Sequence, residues 1–547
     1  MNKVASYLQS HLSGEVLVSE RIREHFSTDA SILTLKPSLV VYPRTTNDIR
    51  KVARFSWQLA ERGHVLAMTA RGNGTDMTGA AIGKGVVIVT PAHLNKILEL
   101  DTKQKLVRVQ PGVNFKSLQE TLHTHGLQLP PAPESYEYST VGGAIANNAS
   151  GVRSGQYGDM RDWVDRLEVV LANGEVIQTG PLTRKEVNKK LGLPTLEGEI
   201  YRAVDAILSD GEEVISAYEK AIHVTTDNTG YALERVRRRN GDIDLTPLFV
   251  GSQGTLGIVT EAILRVTDYT PTAALTVAAF ASLDDALEAS ERLSALGPSA
   301  LELVDATLLE FVRKHNNIDL PETLLISGQA PAVLLFVEAS NQSERSLAKF
   351  TKHAVKLIAG YTDTLVSAQD FEEREKLWSY RYATTAFMSH DTGGKAATPI
   401  VQSVAVPPAA LHQFLQDTKE LCKKQHVEIA LWAHVLTGTV MVLPLLDLSK
   451  LGDRQRVFKL MDEYLRLVIK LGGSITSMSG EGRLRAPFAA LQTGGDLAAL
   501  YVQLKTASDP HNTLNPGVKL GTDPGELVDL LRKEYSLDVF ADYLPRM

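Results

Sequence analysis

The sequence predicts an α+β protein, and three observations lead to this prediction. The chain has 547 residues, which is enough for two or three domains. Glycine-rich segments at 70–79, 140–159 and 250–264 lie among short β-branched strands and amphipathic helices. After Pro271 the pattern changes to strand–helix units with charged helix faces, which indicates a separate α+β layer.

Composition excludes several classes of protein. Hydrophobic residues make up 44% of the chain and charged residues 22%, as in ordinary globular proteins. The net charge of -7 argues against a nucleic-acid partner, and the basic run at 237–239 is interpreted as a solvated loop. Cys422 is the single cysteine, which rules out a disulfide or an iron–sulfur cluster within this chain.

Targeting and membrane signals are not evident in the sequence. The first 20 residues contain no uninterrupted apolar core of signal-peptide length. No run of about 20 apolar residues occurs anywhere in the chain, so we predict no transmembrane segment. These patterns favour a cytoplasmic protein.

The first glycine-rich loop, ARGNGTDMTG at 70–79, lies between two apolar strands predicted at 64–69 and 85–90. It differs from a Rossmann loop, because Met77 stands at the third glycine position and no helix pattern follows. Two interpretations remain open. The loop is either a plain tight turn or a phosphate-binding loop that uses the amides of Gly72, Asn73, Gly74 and Thr75.

Two further segments share the same small-residue character. TVGGAIANNASGVRSGQYGD spans 140–159, where Thr140 and the glycines after it offer a hydroxyl and bare amides. VGSQGTLGIVTEAIL spans 250–264 and continues directly into a strand. Three such segments favour one extended ligand over three unrelated turns.

The order of these motifs resembles a known family. ARGNGT, VQPGV, TVGGAIANNASGVRSGQYGD, NTGY and LFVGSQGTLGIVTEAILR are similar to the FAD-binding half of the vanillyl-alcohol-oxidase-like flavoproteins. Within that family, the chain looks most like the D-lactate, glycolate and D-2-hydroxyglutarate dehydrogenase branch. The resemblance covers nearly the whole chain, with Gln253 in place of the family's usual glutamate.

The resemblance implies a three-part organisation. Residues 1–270 would form a p-cresol methylhydroxylase-type FAD-binding domain of two α+β subdomains. Residues 271–505 would form an α+β substrate domain over the flavin, and 506–547 would return to pack on the FAD-binding domain. The first loop carries no histidine of the kind that attaches flavin covalently in relatives, so we expect non-covalent FAD.

The resemblance also assigns FAD contacts to all three segments and to the asparagine before Pro-Gly near the C-terminus. The implied FAD-binding residues are Arg71, Gly72, Asn73, Gly74, Thr75, Asp76, Thr140, Val141, Gly142, Gly143, Ala144, Asn147, Asn148, Ser150, Gly151, Tyr157, Gly158, Gly254, Thr255, Gly257, Ile258, Val259 and Asn515.

Dehydrogenating a 2-hydroxy acid requires a cation for the carboxylate, a base for the hydroxyl proton and a hydride acceptor. EREKLWSYRYATT resembles the family segment that supplies an arginine, and the match falls on Arg381, with Thr385 one helical turn later. Lys395 resembles a lysine that the family places near the carboxylate. For Arg381 and Lys395, a solvated surface side chain remains the alternative.

The chain departs from the family at its metal site. Relatives bind a divalent ion with two histidines and a glutamate, and a further histidine serves as base. Here His434 remains, Met441 replaces the second histidine, and the Glu-His pair falls on Met478 and Ser479. One imidazole does not hold a hard divalent ion, so we predict no metal site, unless a shifted loop brings in Glu481. His434 is then either a base near the flavin or a buried, satisfied histidine.

We therefore predict an FAD-dependent dehydrogenase that passes hydride from a small anionic 2-hydroxy acid, or a related hydroxylated substrate, to flavin N5. Arg381 would bind the anionic group and His434 would act as base. Two alternatives remain: a flavin-binding scaffold or regulatory subunit with a degenerate site, and a flavoenzyme for a sugar or aromatic alcohol. The electron acceptor is left open among an iron–sulfur protein, an electron-transfer flavoprotein, a quinone and a cytochrome.

Overall fold

The computed structural model describes residues 3–310, 319–340, 342–386, 395–521 and 523–535, without the side chains of 382–386. In this part of the chain, helices accompany three main sheets of four, five and eight strands. The predicted α+β class is thereby confirmed. No helix among the described residues is both long and apolar enough to cross a membrane.

The four-stranded sheet contains the strands on both sides of the first glycine-rich loop. Its strands, in spatial order, are Glu15–Leu17, Leu39–Tyr42, Val86–Val89 and Met68–Arg71. The last two are parallel neighbours joined without an intervening helix, as the loop sequence predicts. The strand before the loop was predicted over 64–69. In the structure it spans Met68–Arg71 and pairs with the next strand over that whole range. The strand therefore starts later than predicted and includes Ala70 and Arg71.

The helix Thr46–Ala60 packs against this sheet because its apolar residues recur at helical spacing. Ile49, Val52 and Ala53 are buried. Thr45 is the N-cap of this helix, because its hydroxyl accepts a hydrogen bond from the Asp48 amide at 3.3 Å.

The five-stranded sheet is antiparallel and carries the third glycine-rich segment. Its strands, in spatial order, are Ile97–Asp101, Leu106–Val109, Ile258–Arg265, Val164–Val170 and Val176–Gln178. The longer helices of residues 1–270 are Lys3–His11, Thr46–Ala60, Phe115–His123, Arg184–Leu191, Leu196–Asp210 and Glu212–Ala221. Shorter helices are Glu20–His25, Val141–Asn147, Ser154–Tyr157 and Thr246–Phe249.

The eight-stranded sheet starts at residue 273 and lies in the second part of the chain. Its strands, in spatial order, are Leu365–Ala368, Ala273–Phe280, Val333–Ser340, Ala300–Asp305, Ile429–His434, Thr439–Leu446 and Ala396–Ala397, and Val404–Ala405 also pairs with Thr439–Leu446. The helices that pack in the same core as this sheet are Leu283–Ser294, Glu344–Ile358, Leu411–Lys424 and Leu451–Lys470.

The two faces of this sheet have different surroundings. Leu301 and Leu303 belong to the core that includes the helices, whereas Val304 belongs to a second core. Because side chains alternate along a strand, Glu302 shares the second face with Val304. The neighbouring strand repeats the pattern, since Trp432 belongs to the second core. The candidate site lies on this second face.

The segment after the helix Ala489–Ser508 returns to the four-stranded sheet. The Met68 amide donates to the Thr513 carbonyl at 2.7 Å, and the Asn515 amide donates to the Met68 carbonyl at 2.8 Å. Leu514 thereby forms a parallel bridge with Met68, at the edge of the sheet. Asn515 is consequently placed beside the first glycine-rich loop.

Candidate active site

His434 ends a strand on the second face of the eight-stranded sheet and lies directly opposite Glu302 in the sheet register. Its Nδ1 is 2.6 Å from Glu302 Oε1, and both side chains are almost fully buried. Since a carboxylate only accepts, Nδ1 carries a proton and donates. The atom left for proton exchange is Nε2. The histidine is satisfied by a carboxylate on a neighbouring strand, and not by the backbone.

Arg381, on the helix Phe371–Ala386, is fully buried beside the same carboxylate. Its Nε and Nη2 each lie 3.0 Å from Glu302 Oε2, and Nη2 also forms an ion pair with Glu134. The guanidinium stacks over Trp432 with its carbon 5.4 Å from the ring centroid. The alternative of a solvated surface arginine is therefore wrong, because burial and two carboxylates fix this side chain.

Glu134 completes the group from a different part of the chain. It lies in a turn just before the second glycine-rich segment. Its Oε1 accepts hydrogen bonds from Arg381 Nη2 and from Trp432 Nε1 at 3.0 Å, and it lies 3.3 Å from His434 Nε2. We call Glu134, Glu302, Arg381 and His434 the charge cluster. Its two carboxylates face two groups that carry positive charge.

The charge cluster changes the proton affinities of its members. Burial alone would lower the pKa of His434, but Glu302 and the hydrogen bonds to both glutamates outweigh burial and raise the pKa to about 9. Burial opposes ionisation of Glu134, but Arg381 and His434 lower its pKa to about 2. The glutamates also raise the pKa of Arg381 despite its burial. At neutral pH the cluster therefore holds an imidazolium.

An apolar wall surrounds the charge cluster. Met441 lies opposite Trp432 in the sheet register, and both are buried in one hydrophobic core. Met478 packs against that core with its Sδ 3.2 Å from His434 Nε2. Met77 of the first loop and Val152 of the second segment join the same core. The wall thus extends from His434 to the glycine-rich segments.

The other residues at the family's metal positions have different partners. Ser479 Oγ accepts a hydrogen bond from Arg485 at 2.9 Å. Glu481 pairs with Lys519 Nζ at 2.6 Å and is not a member of the charge cluster. Among the described residues, no three His, Cys, Asp or Glu side chains are arranged to hold a metal ion. The absence of a metal site remains a prediction.

Two other predicted catalytic residues, Lys395 and Thr385, keep their roles as predictions. Lys395 is described and exposed, just before the strand Ala396–Ala397, and it has an interaction partner. Thr385 lies near the end of the helix Phe371–Ala386, but its side chain falls outside the described residues. The structure therefore brings Arg381 and His434 together and leaves the roles of these two as predictions.

The first loop presents free backbone donors. The amides of Gly72, Asn73, Gly74 and Thr75 donate to no group in the described part of the chain. The Asn73 side chain donates to the Tyr138 carbonyl at 2.7 Å and ties the loop to the segment that carries Glu134. The Arg71 side chain is buried below the loop, where it donates to the carbonyls of residues 28 and 81.

The second segment begins with the helix Val141–Asn147, which was not predicted from the sequence. Thr140 caps this helix by accepting a hydrogen bond from the Gly143 amide at 3.1 Å. The amides of Val141 and Gly142 donate to the carbonyls of Val113 and Pro111. The prediction of bare amides here was therefore wrong, because the protein itself uses them. Val141 and Ala144 face the core.

Polar side chains link the three segments. Asp76 accepts a hydrogen bond from Asn147 Nδ2 at 3.0 Å, and Asn147 Oδ1 accepts one from Gln253 at 2.8 Å. Asn515 donates to the carbonyls of Ala80 and Gln253, both at 2.8 Å. The segments predicted to bind one ligand are thus held together as one unit.

The segments also connect to the strand of His434. Asn148 donates to Asn228 Oδ1 at 2.6 Å, and Asn228 in turn contacts the carbonyl of Ser477. Ser477 Oγ lies 2.8 Å from the hydroxyl of Thr439, the residue opposite His434 in the sheet. This chain of contacts places the charge cluster beside the glycine-rich segments.

The remaining predicted FAD-binding residues differ in burial. Gly254 lies next to Ala70, with an added Cβ 3.9 Å from that side chain, so the first and third segments adjoin. Ser150, Gly151, Thr255, Gly257 and Ile258 are buried, and Val259 is half-buried. Tyr157 and Gly158 line an open cavity of about 530 Å³ together with Trp163.

These observations fit a dinucleotide phosphate. Four successive amides without a partner among the described residues are available to an anion, and Gly72 lies against Thr140 at the start of the helix Val141–Asn147. An added Cβ at Gly72 would lie 2.3 Å from Thr140 Oγ1, so the two segments approach as closely as glycine permits. These contacts favour the phosphate-binding interpretation of the first loop over a plain tight turn, and that interpretation stays a prediction.

Comparisons with known proteins define the class of flavoprotein. A model of the FAD binding domain matches residues 37–180, and a model of the C-terminal domain of FAD linked oxidases matches residues 270–518. The chain thus combines an FAD-binding domain with an FAD-linked oxidase C-terminal domain, which confirms the implied cofactor class. The resemblance to the D-lactate, glycolate and D-2-hydroxyglutarate dehydrogenase branch is confirmed as well.

Individual relatives carry related names. D-2-hydroxyglutarate dehydrogenase of Pantoea ananatis is 28% identical over 92% of this chain and 50% of that protein. Glycolate oxidase subunit GlcD of Bacillus subtilis is 28% identical over 89% of this chain and 90% of that subunit. The chain therefore spans about half the length of the D-2-hydroxyglutarate dehydrogenases, and nearly all of the glycolate oxidase subunit.

Solved structures share the fold at low sequence identity. 4-Ethylphenol oxidase from Gulosibacter chungangensis superimposes with a TM-score of 0.68 at 16% identity, covering 94% of this chain and 96% of that one. An alkyldihydroxyacetonephosphate synthase gives a TM-score of 0.61 at 16% identity, over 94% and 86% of the two chains. At this identity the likeness concerns the fold alone.

Replacing Gly72 with alanine is expected to lower the FAD content of the purified protein. The new Cβ would push Thr140 away from the position in which it caps its helix, and loss of such a cap costs about 1 kcal/mol. FAD content is measured from the absorbance of the released flavin per protein. Gly495→Ala is the matched control, because an added Cβ there meets nothing within 4 Å. Equal FAD content in both variants would contradict the assignment of the first loop to FAD binding.

Proposed function

We propose that this chain is an FAD-dependent dehydrogenase for a 2-hydroxy acid or a related small hydroxylated substrate. The observation that carries this proposal is the buried His434–Glu302 pair, which faces an apolar wall continuous with the FAD-binding segments. The names of the relatives supply the substrate class. FAD would be bound non-covalently by the amides of the first loop and by the linked second and third segments.

FAD, when bound, supplies an acceptor for the hydride that leaves the hydroxylated carbon. His434 would take the hydroxyl proton at Nε2, because Nδ1 is already committed to Glu302. Glu302 is then a positioning residue that fixes the tautomer and orientation of the imidazole. The methionine and tryptophan side chains of the wall would exclude water from the reacting atoms.

We assign the anionic group of the substrate to the positive side of the charge cluster. Arg381 is the main candidate for this contact, because its planar guanidinium suits a carboxylate and it shares Glu302 with His434. Lys395 and Thr385 are proposed as secondary contacts. Electrons would pass on to an iron–sulfur protein, an electron-transfer flavoprotein, a quinone or a cytochrome, and the proposed location is the cytoplasm.

The rate of flavin reduction is expected to rise with pH and level off above about pH 9. Only the neutral imidazole accepts a proton, and Glu302 and Glu134 raise the pKa of His434 to about 9 despite its burial. The same shift makes the folded state bind a proton that the unfolded chain releases near pH 6.5. This contribution to stability is complete below that pH and is lost as pH rises through about 9.

Single-turnover reduction of the bound flavin, followed without oxygen from pH 6 to 10, measures this profile. Met478 also contacts the imidazole and does not titrate, and Arg381, which shares both glutamates with His434, has a raised pKa, so one ionisation is expected. A profile that is already flat above pH 7 would contradict the role of His434 as base.

Anaerobic titration of the FAD-loaded protein with candidate substrates tests the proposed function. A panel of 2-hydroxy acids, sugars and aromatic alcohols is added in turn, and loss of the yellow flavin absorbance is recorded. Reduction by a 2-hydroxy acid such as D-lactate, glycolate or D-2-hydroxyglutarate is expected. Reduction only by a sugar or an aromatic alcohol would change the substrate class. Reduction by none of them would favour a flavin-binding scaffold.

A further inference from the structure

We propose that Glu134 occupies the position of the substrate carboxylate, and that an anionic substrate binds by exchange with Glu134. The inference rests on the proposed function, because it concerns the anion-binding part of the same site. Glu134 is thereby a specificity-determining residue. Three observations support this role: the donors around Glu134, its position in a turn rather than in a strand, and the net charge of the whole charge cluster.

The donors around Glu134 form a small anion-binding subsite. Arg381 Nη2, Trp432 Nε1 and His434 Nε2 all converge on the single oxygen Glu134 Oε1. Two of these donors carry positive charge and the third is an indole N–H, and none of them is a hydrogen-bond acceptor when the imidazole is protonated. After the exchange, the substrate carboxylate would take the contacts of Arg381 and Trp432, and the substrate hydroxyl would face Nε2, where the proposed function places proton transfer.

The two glutamates differ in how firmly the fold holds them. Glu302 is fully buried, lies in the strand Ala300–Asp305 and pairs with strands on both sides. Glu134 lies in a turn at 134–138, and its side chain is 8% exposed, compared with 0% for Glu302. Releasing Glu134 therefore breaks no sheet pairing. Releasing Glu302 would require rearrangement of the sheet.

The net charge of the charge cluster favours replacement of Glu134 by the substrate carboxylate over addition of a third carboxylate. Arg381 and protonated His434 already face two carboxylates, so the charge cluster carries no spare positive charge. A third carboxylate added to the cluster would be a buried anion without a partner, which is strongly unfavourable. Replacing Glu134 by a substrate carboxylate keeps the balance unchanged. The Glu134 side chain would then rotate outward towards solvent, while Asn73 and Asn114 continue to hold the backbone of the turn.

The exchange has a consequence for specificity. Every anionic ligand competes with Glu134, so its affinity is lower than the three donors would otherwise give. A ligand without a carboxylate cannot replace the contacts that Glu134 makes with these donors, so it does not displace Glu134. The subsite thus favours small carboxylates that also make contacts elsewhere in the pocket.

Equilibrium binding of oxalate to the FAD-loaded protein tests the exchange. Oxalate is a small dicarboxylate without a C–H bond, so it binds without reducing the flavin. Calorimetry is performed on the wild type, Glu134→Gln and Glu134→Ala. Both variants remove the competing charge, and we expect oxalate to bind about ten- to a hundredfold more tightly, the range for a hydrogen bond to a charged group. Glutamine keeps an acceptor for the indole, so it preserves most of the local packing.

Glu338→Gln is the matched control. Glu338 is a buried carboxylate in the same sheet that also pairs with an arginine and a tryptophan, Arg153 at 2.7 Å and Trp378 at 3.0 Å. It has no contact with His434 among the described residues. Its removal tests whether loss of any buried carboxylate tightens anion binding, and we expect oxalate affinity to stay within about twofold of the wild type.

The outcomes separate this inference from the proposed function. Unchanged oxalate affinity in both Glu134 variants, or an equal gain in Glu338→Gln, overturns the exchange. If a 2-hydroxy acid still reduces the wild-type flavin, the proposed function stands without it. Tighter oxalate binding in the Glu134 variants alone supports the exchange, even if no hydroxylated substrate reduces the flavin and the proposed function falls.

Discussion

Replacing His434 with glutamine is expected to slow reduction of the bound flavin about 100- to 10,000-fold, the range for loss of a general base. Glutamine keeps a polar side chain of similar length but has no nitrogen that accepts a proton near neutral pH. The FAD-binding segments do not depend on the imidazole, so the variant should still bind FAD. Stopped-flow measurement of flavin reduction at saturating substrate gives the rate.

His353→Gln serves as the control for this experiment. His353 is exposed on the helix Glu344–Ile358, away from the charge cluster, so the same chemical change there should leave the rate unchanged. A rate in His434→Gln within a few-fold of the wild type would show that another group accepts the proton. The buried histidine would then have a structural role only.

Replacing Glu302 with glutamine is expected to lower the free energy of unfolding by about 3–5 kcal/mol, the range for removal of one partner from a buried ion pair. Glu302 is the shared partner of Arg381 and His434, and all three are almost fully buried. Without it, Arg381 keeps its ion pair with Glu134 but loses the one with Glu302, and His434 loses the contact that fixes Nδ1. Denaturant unfolding, followed by tryptophan fluorescence, measures the change.

The pH profile separates a positioning role of Glu302 from a purely structural one. Glu302 raises the pKa of His434, so the glutamine variant should reach its maximum rate of flavin reduction at a lower pH than the wild type. Glu288→Gln, on the exposed face of the helix Leu283–Ser294, controls for the loss of one negative charge. Unchanged stability and an unchanged profile in Glu302→Gln would contradict its proposed role.

Much of the fold follows from local sequence patterns. Short runs of apolar and β-branched residues place many of the strands, and the spacing of Ile49 and Val52 predicts the helix that covers the first sheet. Met77 correctly excludes a Rossmann loop, since the strands beside it are joined without a helix. The helix Val141–Asn147 was missed, because two glycines lower helix propensity, and the Thr140 cap and tertiary hydrogen bonds to Val113 and Pro111 compensate.

Less of the candidate site than of the fold could be predicted from the sequence. The resemblance identifies Arg381 and His434, but neither spacing nor composition indicates that they share two carboxylates. Glu302 gives a weak signal, a charge between Leu301 and Leu303 in a mostly apolar strand that ends at Asp305. Glu134 gives none, because it lies in an irregular turn far away in sequence. Contacts of this kind depend on the register of the sheet and on how distant segments pack.

The most direct test of hydride transfer at this site uses a deuterated substrate. The 2-hydroxy acid that reduces the flavin fastest is prepared with hydrogen or with deuterium at C2, and both are mixed with the FAD-loaded protein in the absence of oxygen. At saturating substrate, we expect the deuterated acid to reduce the flavin several-fold more slowly, because the C2–H bond breaks in that step. Equal rates, or a flavin that stays oxidised with every 2-hydroxy acid, would contradict the proposed dehydrogenase function.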